Sequence, residues 1–582
     1  MSAANWIRVA SGFRQVVVAA TSLVAKEGAS GASALTKHGV DLAQNARTAV
    51  KAAGTMVPSN IKTVETDMQL DQVTTMKTAV ESDESDVKPI MNVEHKVDEL
   101  KSFGKEITKE QPREIPLIET TPDLLQEGQA VPSTRIGRAA GFASLGIGLV
   151  AGTVVEAASR IVSLGSNSSS PIVANDANAD RLAKTLCRMR GAALKLGQML
   201  SIQDETLLPA PMARALEQVR QGADAMPLQQ LHGQLEKEFG ENWRDKFVEF
   251  EELPFAAASI GQVHRAKIVE NGIEKTVVVK VQYPGVADSI ESDLRNLTML
   301  VKMSGFAPKG LFIDRVIEVG RDELKVECDY IREATNQERL QDLIHNCPEL
   351  KAAKFRVPGV MSNHSTKNIL TTEYCPGGTI DKVAFLDQEE RNRIGRNIMR
   401  LTVKELFLWR FMQTDPNWGN FLYDVGTGTT FLIDFGSARE YSKSFVDGYL
   451  RIVWACANND TETLMEQSHR MGFLTGEEND IMLEAHKMSG FTLGEPFSTD
   501  EEYDFKDSGI TGRISDHGSA FLQHRLTPPP EEVYTLHRKL AGAFNLCIKL
   551  GAKIKCRDLL EDVIDNHIFE DGLPHPKEVG IQ

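Results

Sequence analysis

What this chain lacks narrows its function before any motif is found. Its 582 residues include 7 cysteines, placed singly at Cys187, Cys328, Cys347, Cys375, Cys456, Cys547 and Cys556, with no C-x-x-C pair. The usual zinc spacings and a disulfide framework are therefore not signalled, and a reducing or matrix-like compartment fits. Basic excess is also missing: 65 Lys and Arg stand against 81 Asp and Glu, a net charge of −16. Without surplus cations to displace phosphate counterions, generalised nucleic-acid binding is excluded. Residues 59–131 hold one aromatic, Phe103, among many Glu, Asp, Lys, Thr and Gln. Such a stretch buries too little apolar surface to offset its ordering entropy and reads as a disordered linker. The first 26 residues carry no acid, and no long charge-poor segment with a small-residue cleavage site follows, which argues against secretion.

What is present describes a globular protein, 41% apolar and 25% charged, long enough for three or four structural units. Arg8, Arg14 and Lys26 accompany Trp6, Ile7, Val9, Phe13, Val16 and Val17 at roughly helical spacing. This amphipathic start predicts a mitochondrial targeting and amphipathic region over residues 1–58. Residues 139–155 run without a charge, and Gly137/Gly141 and Gly148/Gly152 have the spacing that lets two membrane helices approach closely. Seventeen residues is short for a bilayer, so the expectation is a single apolar membrane helix within 132–160, with a buried Gly/Ala-rich soluble helix or an interfacial helix as the alternatives. A helical extension is expected over 178–250, a β-rich lobe over 251–375 with strands at 259–267, 276–283 and 368–374, and a largely helical lobe over 376–582. Between the first lobe's strands, helical patterns occupy 286–303 and 313–343. The fold class is α+β.

The chemistry lies in the second half. Asp415-Pro416-Asn417-Trp418-Gly419-Asn420 presents an Asp and, five positions on, an Asn. Fourteen residues later, the apolar run Phe431-Leu432-Ile433 ends in Asp434-Phe435-Gly436. Protein kinases use this order and nearly this spacing. Phosphoryl transfer needs phosphates gripped, metal bridging them and the acceptor oxygen in line. Asp415 is the candidate to orient or deprotonate the acceptor, and Asn420 and Asp434 offer the hard oxygens that suit Mg²⁺. Lys280, closing Val277-Val278-Val279-Lys280, is the candidate phosphate-pairing lysine, and Glu333, 53 residues on, its partner. That separation is long and predicts an insertion between them. Glu373 and Tyr374, after a predicted strand, are the candidate hinge that receives adenine. Two features depart from kinases. Ala256-Ala257-Ala258-Ser259 stands where a glycine-rich loop is expected, and each Cβ blocks close backbone approach to phosphate. Met412-Gln413-Thr414 replaces the His-Arg that precedes the catalytic Asp. Upstream, Lys195 and Gln198 share a helix face, with Gly197 between them.

Taken together, Lys195-Leu196-Gly197-Gln198, the alanine loop, Glu327-Cys328-Asp329, Asp415–Asn420 and Asp434-Phe435-Gly436 resemble the UbiB-type, or aarF-domain-containing, atypical kinase family, over roughly residues 130–570. More narrowly they resemble its mitochondrial coenzyme Q branch. The resemblance implies a protein-kinase-like two-lobe fold whose helical extension covers the cleft. It implies that Lys195 and Gln198 act in regulation with Glu327 and Asp329. Binding of ATP and ADP with Mg²⁺ is implied, as is ATPase or small-molecule kinase activity stimulated by cardiolipin-like anionic lipid and phenolic coenzyme Q precursors. A matrix-facing inner-membrane location, contacts with coenzyme Q biosynthetic proteins and a homodimer through the Gly-xxx-Gly segment are implied too. Gly419 stands where Ser is expected in a close animal relative, and both are small. Two rivals stay open: a true protein kinase, against which the lack of Ala-Pro-Glu after Gly436 counts, and a nucleotide-regulated scaffold.

Overall fold

A computed structural model describes residues 225–258, 260–304, 313–415 and 417–578. The predicted targeting region, linker and apolar segment, together with Lys195, Gln198 and Ser259, lie outside the described residues. Among the described residues no helix is long and apolar enough to cross a membrane.

The small lobe is built on an antiparallel sheet ordered β1 (Glu249–Phe250), β3 (Gly261–Glu270), β4 (Ile273–Gln282) and β6 (Ile369–Glu373), with β2 (Ala256–Ala257) also paired to β3. Val277, Val279 and Val281 alternate with half-buried neighbours, so one face of β4 is wholly covered. β3 and β4 are joined by Asn271-Gly272, both at positive φ (53° and 78°), the two-residue turn whose twist matches the strands. Helix α1 (Leu228–Phe239) closes this core: Leu231, Leu235, Trp243 and Phe247 join the valines of β4 in one apolar cluster. The last part of the expected extension is thus a structural member of the small lobe. Trp243 and Phe247 pack edge-on against Phe250, with ring centroids 5.3 and 5.2 Å away.

The expected insertion between Lys280 and Glu333 is a pair of helices, α2 (Val286–Ser304) and α3 (Ile313–Glu327), that pack on one another. The helical pattern read over 313–343 is divided between two helices. The chain breaks at Cys328–Asp329 and restarts as α4 (Tyr330–His345), because the Asp329 carboxylate accepts from the N–H groups of Ile331 (3.1 Å) and Arg332 (3.2 Å). Asp329→Ala is expected to lower stability by about 1 kcal/mol, the usual worth of such a cap, while Asp329→Asn leaves it unchanged. Urea unfolding of the two variants checks this.

The large lobe centres on α6 (Gln388–Phe407, after the short α5, Pro348–Ala352). Around it pack α7 (Lys443–Ala457), α12 (Glu531–Leu550) and α13 (Arg557–Asn566), with α8 (Thr461–Arg470), α9 (Asp480–Gly494), α10 (Ile510–Ser515) and α11 (Gly518–His524) further out. Two small sheets carry the chemistry to its edge. β5 (Phe355–Arg356), β10 (Thr429–Leu432), β9 (Phe421–Asp424) and β7 (Gly378–Thr379) form one, and β8 (Phe411–Gln413) pairs with β11 (Ala438–Glu440) in the other. The part after residue 387 is therefore mainly helical, with a strand-rich interruption over 411–440, where the motif residues fall, and one short strand pair, Tyr503–Asp504 with Lys553–Ile554.

Candidate active site

β4 delivers Lys280 and α4 delivers Glu333 to one point. Lys280 Nζ donates to both Glu333 oxygens, at 2.8 and 3.1 Å, and to Asp434 Oδ1 at 3.3 Å. Glu333 is 2% exposed and the Lys280 side chain 13%, so the carboxylate is buried and the ammonium largely so. Burial is the largest influence on Lys280 and works against its charge, yet Asp434 and Glu333 together outweigh it and hold the ammonium well above its ordinary range. Burial pushes the Glu333 carboxyl up to about 7, with Lys280 pulling the other way. The side chains Lys280, Glu333 and Asp434, separated by 154 positions at their extremes, thus form one cluster.

Asp434 follows β10 at φ 65°, a left-handed conformation that costs an Asp little and few other residues adopt. Its neighbours are pinned. Ile433 N–H donates to the Asn420 carbonyl (2.9 Å), Gln413 Nε2 to the Asp434 carbonyl (3.2 Å), and Asn336 Nδ2 to the Phe435 carbonyl (3.3 Å). Phe435 is fully buried. A Cβ on Gly436 would lie 3.3 Å from Glu333 Oε2, 3.5 Å from Glu327 Cγ and 3.6 Å from Asp434 Oδ1, so three acidic side chains converge on the one residue without a side chain.

Asp415 and Asn420 come together in the loop between β8 and β9. Asn420 Nδ2 donates to Asp415 Oδ2 (3.1 Å), and Asn417 N–H to Asp415 Oδ1 (3.2 Å). The bond from the Asn420 amide nitrogen turns its Oδ1 the other way, and that oxygen accepts from no donor among the described residues. Asn420 and Asp434 are neighbours through the Ile433–Asn420 backbone bond. An amide oxygen beside a carboxylate is a donor set that fits Mg²⁺.

The alanine loop is a tight hairpin. Ala256 and Ala257 pair with Val263 and Gln262, and Ala258 N–H donates to the Gly261 carbonyl at 2.8 Å. Its one glycine is packed tightly: a Cβ on Gly261 would lie 2.6 Å from the Val281 carbonyl oxygen and 2.8 Å from the Tyr330 hydroxyl. That hydroxyl is itself buried without a hydrogen-bond partner among the described residues, and the Tyr330 ring lies 5.2 Å from Lys280 Nζ. Gly261→Ala is expected to cost about 2 kcal/mol through forced displacement of this backbone, measurable by urea denaturation. At the expected hinge, Tyr374 N–H is already donated to the Thr276 carbonyl (3.2 Å), and the Glu373 carboxylate accepts from Gly359 N–H (3.0 Å). The Tyr374 amide is therefore already engaged within the sheet.

Glu327 accepts from the Ser437 hydroxyl, which ties α3 to the segment after Gly436, whereas Asp329 serves as the cap of α4. Sequence reasoning missed the residues that hold the loops apart from the motifs. Gln413, noted as a replacement, also accepts from Lys539 Nζ (3.0 Å), which lies 3.4 Å from the wholly buried Glu405. Arg538 pairs with Glu323 at 3.0 Å; burial works against its charge, and Glu323 and Asp415 outweigh it and raise it. Adjacent cations inside an apolar helix were the available signal, and no spacing rule names their partners.

A family profile described as an ABC1 atypical kinase-like domain matches residues 218–468. The chain is 43% identical over 455 residues to "Atypical kinase coq-8, mitochondrial" of Caenorhabditis elegans, covering 76% of this chain and 59% of that protein. It is 45% identical over 435 residues to "Atypical kinase COQ8B, mitochondrial" of Rattus norvegicus, covering 74% and 81%. Against "Atypical kinase COQ8, mitochondrial" of Saccharomyces cerevisiae the identity is 41% over 439 residues, covering 75% and 86%. The chain belongs to the ABC1 atypical kinase-like family, the family its motifs resemble.

Proposed function

We propose that the chain is an ATP-dependent phosphotransferase or ATPase that binds Mg²⁺-ATP and supports coenzyme Q biosynthesis on the matrix side of the mitochondrial inner membrane. The observation that carries the nucleotide reading is the Lys280–Glu333–Asp434 cluster beside the Asp415–Asn420 pair. Lys280, held in place by Glu333, orients the α- and β-phosphates. Asp434 and Asn420 would hold Mg²⁺, which supplies charge neutralisation along the phosphates. Asp415, braced by Asn420, orients water or a hydroxyl for attack. The backbone at Glu373 and the hairpin from Ala256 to Ser259 enclose the nucleotide, with Lys195, Gln198, Glu327 and Asp329 in regulatory roles.

A small acceptor, rather than a protein, is favoured by the short segment after Asp434-Phe435-Gly436. Only residues 437–442 separate Gly436 from α7, and 438–440 are strand β11, paired to β8. That leaves no long segment on which a peptide could lie. The mitochondrial placement and the coenzyme Q assignment draw on the named relatives. Phenolic precursors, an anionic cardiolipin-like surface, biosynthetic partner proteins and a homodimer through Gly137–Gly152 complete the reading. ATP turnover by the full chain is measured with and without anionic liposomes and a phenolic precursor, beside a radiolabel assay on mitochondrial proteins. Turnover without protein labelling is expected. Protein labelling that Asp415→Asn abolishes would instead establish the protein-kinase alternative.

A further inference from the structure

A second recess of about 530 Å³ lies between α1, the turn from β4 into α2, and the chain just before β6. Its size is that of a small-ligand pocket. The residues proposed above to meet nucleotide and metal are not among those lining it. Three observations converge on its ligand. Residues 286–288, the first turn of the 19-residue helix α2, line it; Val286 N–H is donated to the Tyr283 carbonyl (3.4 Å), and the leading amides that follow have no partner within the helix. Gln234 also lines it, is 6% exposed, and makes no hydrogen bond among the described residues, so a buried carboxamide is left facing the recess. Lys237 and Lys367 stand at its edge with no carboxylate paired to either among the described residues. Against these two cations the lining holds one acid, Asp288, leaving a local charge of +1 (two Lys less one Asp) on a chain of −16. Pro284 and Tyr283 supply apolar wall.

We propose that this recess binds a small organic phosphate, its phosphate held by the first turn of α2 with Lys237 and Lys367 and its carbon body against Pro284 and Tyr283. Gln234 donates to the phosphate, and the resulting bonds are charge-assisted. The recess is wired to the active site. Gln282, in its lining, donates Nε2 to the Cys328 carbonyl at 3.0 Å, between Glu327 and Asp329, and lies two positions beyond Lys280 on β4. An occupant that orders this turn therefore bears on Lys280 and on the start of α4. This regulatory consequence rests on the nucleotide reading; the binding itself does not.

The test uses the full chain saturated with ADP, so that the nucleotide site is filled, titrated with glycerol 3-phosphate by calorimetry. A parallel arm sediments the protein with phosphatidylcholine vesicles containing phosphatidic acid. Wild type is expected to bind, and the Lys237→Glu/Lys367→Glu variant to bind at least tenfold more weakly, with unchanged melting temperature and unchanged ADP affinity. Lysine-dependent binding of the soluble ester identifies a free phosphate. Lysine-dependent binding of vesicles alone identifies a lipid headgroup, and either upholds the site. No binding by wild type in either arm, or equal binding by the variant, overturns it. Gln234→Leu, which removes the donor at similar volume, is expected to weaken binding with both lysines in place. ADP affinity, followed in the same samples, reports separately on the nucleotide site.

Discussion

Lys280→Ala is expected to lower ATP turnover by about a thousandfold or more, the scale on which a phosphate-charge contact acts in phosphoryl transfer. Two losses combine. The counter-charge proposed for the α- and β-phosphates is lost, and Glu333 and Asp434 lose a cation that both touch. With the ammonium gone, the burial that already lifts Glu333 to about 7 is opposed only by the backbone bond at Phe435, Asp434 pushes the same way as burial, and Glu333 takes up a proton at neutral pH. Asp434→Asn should match the turnover loss by a different route, since it removes the carboxylate proposed to bind metal while relieving the crowding of acids around Gly436. Its melting temperature should therefore stay near wild type, and raising Mg²⁺ should not restore its rate. Steady-state turnover at saturating ATP, measured beside ADP affinity, decides the matter. Full turnover by either variant would sink the assignment of these residues.

Lys539→Met is expected to destabilise the protein by about 3–5 kcal/mol at pH 7, because it leaves the Glu405 carboxylate buried without its ion-pair partner. The pair lies under the loop that carries Asp415 and Asn420: Glu405 Oε1 accepts from Gln413 N–H at 3.3 Å, and Gln413 accepts from Lys539. Burial raises the Glu405 carboxyl above its ordinary value, with Lys539 pulling the other way. A folded-state value above the unfolded one means the folded protein takes up the proton first as pH falls. The penalty in Lys539→Met is therefore largest above the folded-state value and shrinks on acidification as Glu405 takes up its proton. Lys539→Met combined with Glu405→Leu should recover most of the loss. Urea unfolding at several pH values reads all three variants, and an acid-insensitive loss in the single variant would refute the buried-charge account.

The motifs were legible because each is local. Asp415 and Asn420 sit five residues apart in one loop, and Asp434-Phe435-Gly436 ends a strand whose apolar run is plain in the sequence. The strands of Lys280 and of residues 369–373 were legible too, through runs of β-branched residues. Pairing across 53 positions could be proposed for Lys280 and Glu333 only because a fold was already suspected. The break at Asp329 was hidden, since Glu327-Cys328-Asp329-Tyr330 interrupts no helical periodicity and a cap is read from backbone geometry. Least legible were the supports. Gln413, Lys539, Glu405 and Arg538 converge from α6, β8 and α12, and their order along the chain carries no trace of that meeting.

The short run from Ser437 to Ser442 has a pharmacological consequence. Phe435 is wholly buried and its carbonyl is bonded by Asn336. The residues that follow are stapled to the α3–α4 unit through Ser437 with Glu327, Arg332 with the Ala438 carbonyl, and Arg339 with Glu440. Compounds that capture kinases by ejecting this phenylalanine need slack on its C-terminal side, and here there is almost none. Selective inhibitors of this protein should therefore come from scaffolds that accept the phenylalanine where it is, and a library biased toward ejecting chemotypes should return few hits.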